Sequence, residues 1–360
     1  MKAKHLQLLG FSLVIVAIQL LTQFTNSAYH LTQLTMTAYY SLLIVGLCML
    51  IGYAGQISLG HAGFFAIGGY ISAFLTTHDL SPYKTKGIVA VLAKAGVLTT
   101  RPDLYGGDLL TVNPWASCIM ALSAAIIVAY IIGGPVLKLK GHYLAMATLG
   151  FGIIVYRIVL GSGLLGAADG ISDVPSFRLF SGIEITGRSS ARVINYYIAW
   201  GLVIAGMALL LNLIHSRVGR ALASIHGAED AADAMGIPTA QYKLKIFVLS
   251  AAFASLAGVL LTHYNGGVGP SEASVMKSVR YVAIVAVGGM ANLWGALAMS
   301  LILNYLSLRG YFGTFDDAVF GGILILIMLF APGGLLRRQI LRDIRHIFGA
   351  KGKDQGGEAA

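Results

Sequence analysis

The residues best suited to chemistry in this chain are Gln56, Ser58 and His61, which stand together in "GYAGQISLGHAG" at 52–63. An amide, a hydroxyl and an imidazole so close together offer donors and acceptors to a small polar solute. They do not make a catalytic or metal site. His61 has no second histidine at i+4 and no cluster of Cys, Asp or Glu beside it in sequence, which argues against metal ligation. "GSGLLG" at 161–166 matches the dinucleotide-binding fingerprint, but it ends an apolar run and enters a polar stretch instead of joining a strand to a helix. No G-x-x-x-x-G-K-[ST] sequence occurs, so the chain does not itself cradle ATP phosphates. No Ser/His/Asp arrangement falls in a strand–turn–helix setting. Cys48 and Cys118 both lie inside apolar runs, which argues against a disulfide framework. The chain reads as a non-enzyme with no cofactor or metal of its own.

The acids point the same way. Asp79, Asp103, Asp108, Asp169, Asp173, Glu184, Glu272, Asp316 and Asp317 are assigned to segments on one side of the membrane. Glu229, Asp230 and Asp233 fall between two apolar runs, and Asp343, Asp354 and Glu358 fall near the C-terminus. On this reading no carboxylate lies mid-span. Ion-coupled carriers commonly need one there as a relay, so any energy for pumping is expected from elsewhere.

These residues must be held by membrane-spanning elements. Of the 360 residues, 57% are hydrophobic and 11% charged, against about one quarter charged in soluble domains. Apolar runs at 8–24, 37–51, 57–77, 115–134, 142–162, 195–214, 244–264, 279–290, 292–308 and 318–331 predict an all-α, polytopic transmembrane bundle of about 10 spans. The runs are continuous rather than alternating, which excludes a β-barrel. The start, "MKAKHLQLLGFSLVIVAIQLLTQFTNSA", reads as an uncleaved first span, with a cleaved signal as the alternative. Residues 1–336 form one membrane domain, with a loop at about 215–243, and 337–360 a basic, partly disordered tail.

The net charge of +10 reads as bias between loops rather than as affinity for nucleic acid. With the N-terminus cytoplasmic, that side holds Lys2, Lys4, Lys138, Lys140, Arg217, Arg220, Lys243, Lys245, Arg337, Arg338, Arg342, Arg345, Lys351 and Lys353, 14 of the 25 basic residues. The other basic residues lie largely in the long loops 78–113 and 163–194, which count little toward orientation. Both termini are therefore expected inside.

Glycines interrupt the apolar pattern at 52–63, at 265–274 and in "GGMANLWG" at 288–295, which begins with Gly288 and Gly289. Broken backbone at membrane depth is tolerated where protein or a water-filled cavity surrounds it. Paired interruptions in two halves of a transporter mark a translocation path. Glycines also allow helices to pack closely, and both readings stand for them.

"HGAEDAADAMGIPTAQYK" at 226–243 predicts a short amphipathic helix on the cytoplasmic side. Leu222, Ile225, Ala228, Ala232 and Met235 recur at helical spacing, with Glu229, Asp230 and Asp233 facing the other way. Gly227 breaks the stretch, and Gly236 with Pro238 ends it. A helix resting on lipid is normally basic. This one is acidic and suits a protein partner.

Ala231, Ala232 and Gly236, preceded by Glu229 and Asp230, resemble the EAA loop of ABC-transporter permeases, with Asp230 in place of the usual glutamate. More widely, "GYAGQISLGHAGFFAIGGY", "LKGHYLAMATLGFG", "SRVGRALASIHGAEDAADAMGI", "YKLKIFVLSAAFASLAGVL", "VAIVAVGGMANLWG" and "LFAPGGLL" are similar to the LivM-type permeases of branched-chain amino-acid uptake systems. The resemblance covers most of residues 37–336, and loop 78–113 is longer than the family pattern. It implies import by alternating access across a bacterial inner membrane. It also implies a second, LivH-like permease, two ATP-binding subunits that hold the ATP, an extracytoplasmic substrate-binding protein and surrounding membrane lipid. The alternative, a self-sufficient channel or facilitator for a small polar solute, leaves the acidic helix without a role.

Overall fold

The computed structural model describes residues 2–83, 97–102, 108–139, 141–180 and 182–330. The tail at 337–360 and parts of loop 78–113 lie outside these. The chain folds as a helical bundle with two short antiparallel ribbons. Among the described residues its α-helices are α1 (Lys2–Phe24), α2 (Tyr29–Ala54), α3 (His61–Thr77), α4 (Pro114–Val136), α5 (His142–Gly161), α6 (Arg192–Ile214), α7 (Arg217–Gly227), α8 (Glu229–Ala234), α9 (Thr239–Asn265), α10 (Val275–Gly288), α11 (Leu293–Leu308) and α12 (Asp316–Phe330).

Each predicted apolar run contains a helix, but the expectation of about 10 full spans is not what the lengths give. Six helices among the described residues are long and apolar enough to cross a membrane: α1, α2, α4, α5, α6 and α9. The other four are shorter. Helix α10 has 14 residues, about 21 Å at 1.5 Å each, against a hydrocarbon core of about 30 Å.

Helix α2 is the centre of the bundle. Every residue from 37 to 52 is buried, as expected of a helix apolar on all faces. Helices α6, α9 and α11 pack around it, and α9 also carries α3 and α4. The polar first turns of α2 hid its true start from a reading of hydropathy. They remain helical because Thr35 returns its hydroxyl to Leu31 O at 2.7 Å and His30 bonds the Tyr305 hydroxyl at 2.6 Å. A buried Ser41–Ser300 hydrogen bond of 2.8 Å joins α2 to α11.

The two ribbons lie at one end of the bundle. Strands β1 (Leu98–Pro102) and β2 (Asp108–Val112) follow α3, and β3 (Phe177–Phe180) and β4 (Ile183–Ile185) follow α5. Hydrogen bonds from Ser81 hold the Asp79 carboxyl below its ordinary pKa, and a bond from Ser176, with Arg178, does the same for Glu184. Both groups thus support these loops at neutral pH and lose that effect as acid protonates them. Helices α7 and α8 lie at the opposite end.

Candidate functional site

Between α2 and α3 the backbone leaves the helical path at residues 55–60. Gly55 ends α2 in the left-handed region, at φ +67°. The segment is carried by α5, through a bond from Leu59 N–H to Thr148 Oγ1 of 3.0 Å, and by α9. His61 is fully buried and bridges two hydroxyls: Nδ1 lies 3.0 Å from Ser58 Oγ, and Nε2 lies 2.8 Å from Ser250 Oγ on α9. The Gln56 side chain is 2% exposed, and neither its oxygen nor its nitrogen has a partner. Of the three polar residues predicted together, two form a closed chain with Ser250 and one is left unsatisfied.

The second interruption packs onto the first. Gly289 turns the chain at φ +100° between α10 and α11. The turn lies on the end of α2, where the Tyr53 hydroxyl donates to Ala291 O at 2.9 Å and Cys48 Sγ lies 3.6 Å from Met290 O. A Cβ on Gly52 would sit 1.3 Å from Met290 O, and one on Gly288 would sit 2.5 Å from the Ala296 Cα. Glycine at these two positions is needed for close packing. The same contact brings the two broken segments together.

His61→Leu is expected to lower stability by about 2–4 kcal/mol, because it leaves the buried Ser58 and Ser250 hydroxyls without their shared partner. Thermal unfolding of the purified variant measures this, and an unchanged midpoint would refute the structural role.

The 217–236 stretch forms two helices separated at Ala228, which has extended backbone at φ −157°. Leu222, Ile225 and Ala232 are buried as the spacing predicts. Ala228 and Met235 depart from it: both are exposed, Met235 at 83%. The break falls at Ala228 rather than at the expected Gly227, which still ends α7, and it shifts the helical phase, so one stripe cannot run through both helices. Glu229 also departs from the expected outward face. It pairs with Lys243 of α9 at 2.5 Å and anchors α8 to the bundle. Ala231, Asp233, Met235 and Gly236 are left on the open surface with Asp230. Helix α7 reaches the other site directly. A Cβ on Gly55 would lie 3.0 Å from His226 Nδ1.

One acid has partners that the sequence does not announce. Glu272, expected in an outer segment, lies in a 3-10 turn, Pro270–Ala273, that packs against α3 and α5. The Tyr40 hydroxyl donates to Glu272 Oε1 at 3.1 Å, and Tyr40 stands 11 residues into α2, about 16 Å from its end. The neighbouring Ser278 accepts from Ala62 N–H at 3.1 Å, at the start of α3. Glu272 therefore packs against the middle of α2, and Lys277 Nζ lies 3.2 Å from its Oε1. Sequence alone missed it because a polar Gly/Pro/Ser segment outside the bundle and one folded into it read alike.

An apolar cleft of about 790 Å³ opens between α3, α4 and α5, lined by residues such as Ile71, Phe74, Met120 and Ile154. It suits hydrocarbon rather than a polar solute. No group of three or more His, Cys, Asp or Glu that could hold a metal occurs among the described residues.

The family described as "Branched-chain amino acid transport system / permease component" matches residues 29–331 of this chain. The high-affinity branched-chain amino acid transport system permease protein LivM of Escherichia coli is 32% identical over 323 residues, covering 84% of this chain and 68% of the relative. LivM of Salmonella typhimurium is 31% identical over the same shares. The permease LivH of Escherichia coli is 27% identical, over 84% of this chain and 93% of the relative. No solved structure matches the chain.

Proposed function

The chain belongs to the family of branched-chain amino acid transport system permeases, and on that premise we propose that it is the transmembrane permease subunit of an ABC importer. It moves branched-chain amino acids, or a related small amino acid or amide, into the cytoplasm. It performs no covalent chemistry. The energy comes from ATP held by two ATP-binding subunits. A second, LivH-like permease completes the pathway, and an extracytoplasmic binding protein delivers substrate. The chain sits in the bacterial inner membrane with both termini cytoplasmic, so α7 and α8 face the cytoplasm and the ribbons face outward.

One observation carries this reading: α7, next to the open acidic surface of α8, lies against Gly55 at the break between α2 and α3. A push on α8 is passed through α7 to the joint that also holds the 289–292 turn. The chain need only have two arrangements of that joint, with the ATP-binding subunits supplying the differential binding energy. Met235 is an exposed, flexible apolar side chain among acids, suited to a pocket on such a partner.

Co-purification tests the assignment. The wild-type chain should bring ATP-binding subunits with it, and Met235→Glu should reduce their recovery at least about tenfold, as loss of a hot-spot contact does. A chain that moves leucine in proteoliposomes with no ATP-binding subunit would be a facilitator, and the proposal would fail.

A further inference from the structure

Lys277, Glu272 and Tyr40 form a compact cluster where α10 begins inside the bundle. The Lys277 ammonium donates to Glu272 Oε1 and to the Tyr40 hydroxyl, each at 3.2 Å, and lies 4.8 Å from the centre of the Tyr40 ring. Tyr40 stacks on Phe65 of α3, with centroids 5.8 Å apart, and its ring lies 6.2 Å from that of Tyr281. Three features go beyond a structural ion pair. First, the Glu272 and Lys277 side chains remain 19% and 22% exposed. A charged pair left part-open among aromatic rings and apolar helices needs water or polar company, because an unsatisfied charge there is costly. Second, Tyr281 stands one turn beyond Lys277 on the same face of α10. It is 1% exposed, yet its hydroxyl has no partner. Third, the amino end of α10, a 14-residue helix capped by Ser274, opens at this cluster, so its dipole adds positive charge beside Lys277.

We infer that this cluster is the subsite that recognises the charged ends of a zwitterionic α-amino acid as it crosses the membrane. The substrate ammonium takes the place of Lys277 beside Glu272, with the Tyr40 ring as a cation-binding face. The substrate carboxylate meets the freed Lys277 ammonium, the amino end of α10 and the Tyr281 hydroxyl. Without substrate, the two side chains neutralise each other, so the site holds no uncompensated charge. This inference rests on the amino-acid importer reading and adds the residues that would choose its substrate.

Uptake of radiolabelled L-leucine by the complete transporter in proteoliposomes provides the test. Excess unlabelled leucine should compete. Leucinamide, which lacks the carboxylate, and 4-methylpentanoate, which lacks the ammonium, should not. Glu272→Gln and Lys277→Met should each cut uptake at least about tenfold, the scale of a lost charged contact. Tyr281→Phe removes a hydroxyl with no protein partner, so it should leave thermal stability unchanged while raising the half-saturation concentration about three- to tenfold. The exchanged pair, Glu272→Lys with Lys277→Glu, restores an ion pair but reverses the site, and uptake should stay low. Full uptake in the exchanged variant, or an unchanged half-saturation concentration in Tyr281→Phe, would reduce the cluster to a structural pair. Absence of leucine uptake by the wild-type complex would instead overturn the importer reading on which the inference depends.

Discussion

Gly52→Ala is expected to lose the folded bundle. The added Cβ would lie 1.3 Å from the Met290 carbonyl oxygen, 2.3 Å from its carbon and 2.9 Å from the Ala291 Cα. All three are backbone atoms, so no side chain can swing aside. Relief requires α2 to part from the 289–292 turn, which breaks the Tyr53–Ala291 hydrogen bond and opens the close contact of Gly52 at the end of α2. Overpacking typically costs 1–3 kcal/mol when neighbours can adjust. Here they cannot, and a loss of about 3 kcal/mol or more follows. Thermal unfolding of detergent-purified protein measures it. Gly201→Ala is the matched control, because a Cβ there meets nothing within 4 Å, and a helix gains about 0.5–1 kcal/mol from the exchange. If Gly52→Ala and Gly201→Ala melt alike, the broken segments do not depend on this contact.

The helical elements were legible in the sequence because apolar runs of span length have few other outcomes. Their lengths were less so. The first turns of α2 carry His30, Thr32, Gln33 and Thr35, which lower hydropathy without ending the helix. The run at 279–290 was read as a span, whereas α10 begins earlier and is shorter than a membrane crossing. Hydropathy reports which residues avoid water. It does not report how deep a helix begins.

The candidate site was legible in part for the same reason. Gln56, Ser58 and His61 announced themselves as polar residues in an apolar setting, but Ser250, which completes the chain to His61, was one of two serines in the apolar run of α9 with nothing to set it apart. Glu272 was visible as an acid but not as a partner of the bundle, since its place is set by contacts with Tyr40 on α2 and Lys277 on α10. The phase shift that exposes Met235 comes from the extended backbone at Ala228, one residue after the glycine that signals a break. Periodicity assumes a continuous helix and fails at the residue where the helix stops.

That phase shift leaves α7 rather than α8 in contact with the joint, and the contact gives the last expected result: Gly55→Val should uncouple ATP hydrolysis from uptake. Gly55 has φ +67°, a conformation that costs an L-residue about 1–2 kcal/mol, and a β-branched one most. Its added Cβ would also meet the His226 ring at 3.0 Å. His226 is exposed and can move, so the bundle should still fold, while α7 loses its seat against the joint. Uptake per ATP hydrolysed should fall at least about thirtyfold, the factor corresponding to ~2 kcal/mol. Asparagine separates the two causes, because it adopts the left-handed conformation readily. Gly55→Asn keeps the backbone and retains only the collision with His226. Adding His226→Ala makes room, so the double variant should recover most of the coupling that Gly55→Asn alone loses. Such recovery is evidence for a contact that transmits motion, since backbone strain at residue 55 would be untouched by shortening residue 226. Normal ATP-driven uptake in both Gly55→Val and Gly55→Asn would mean that the push from the ATP-binding subunits reaches the broken segments by another route.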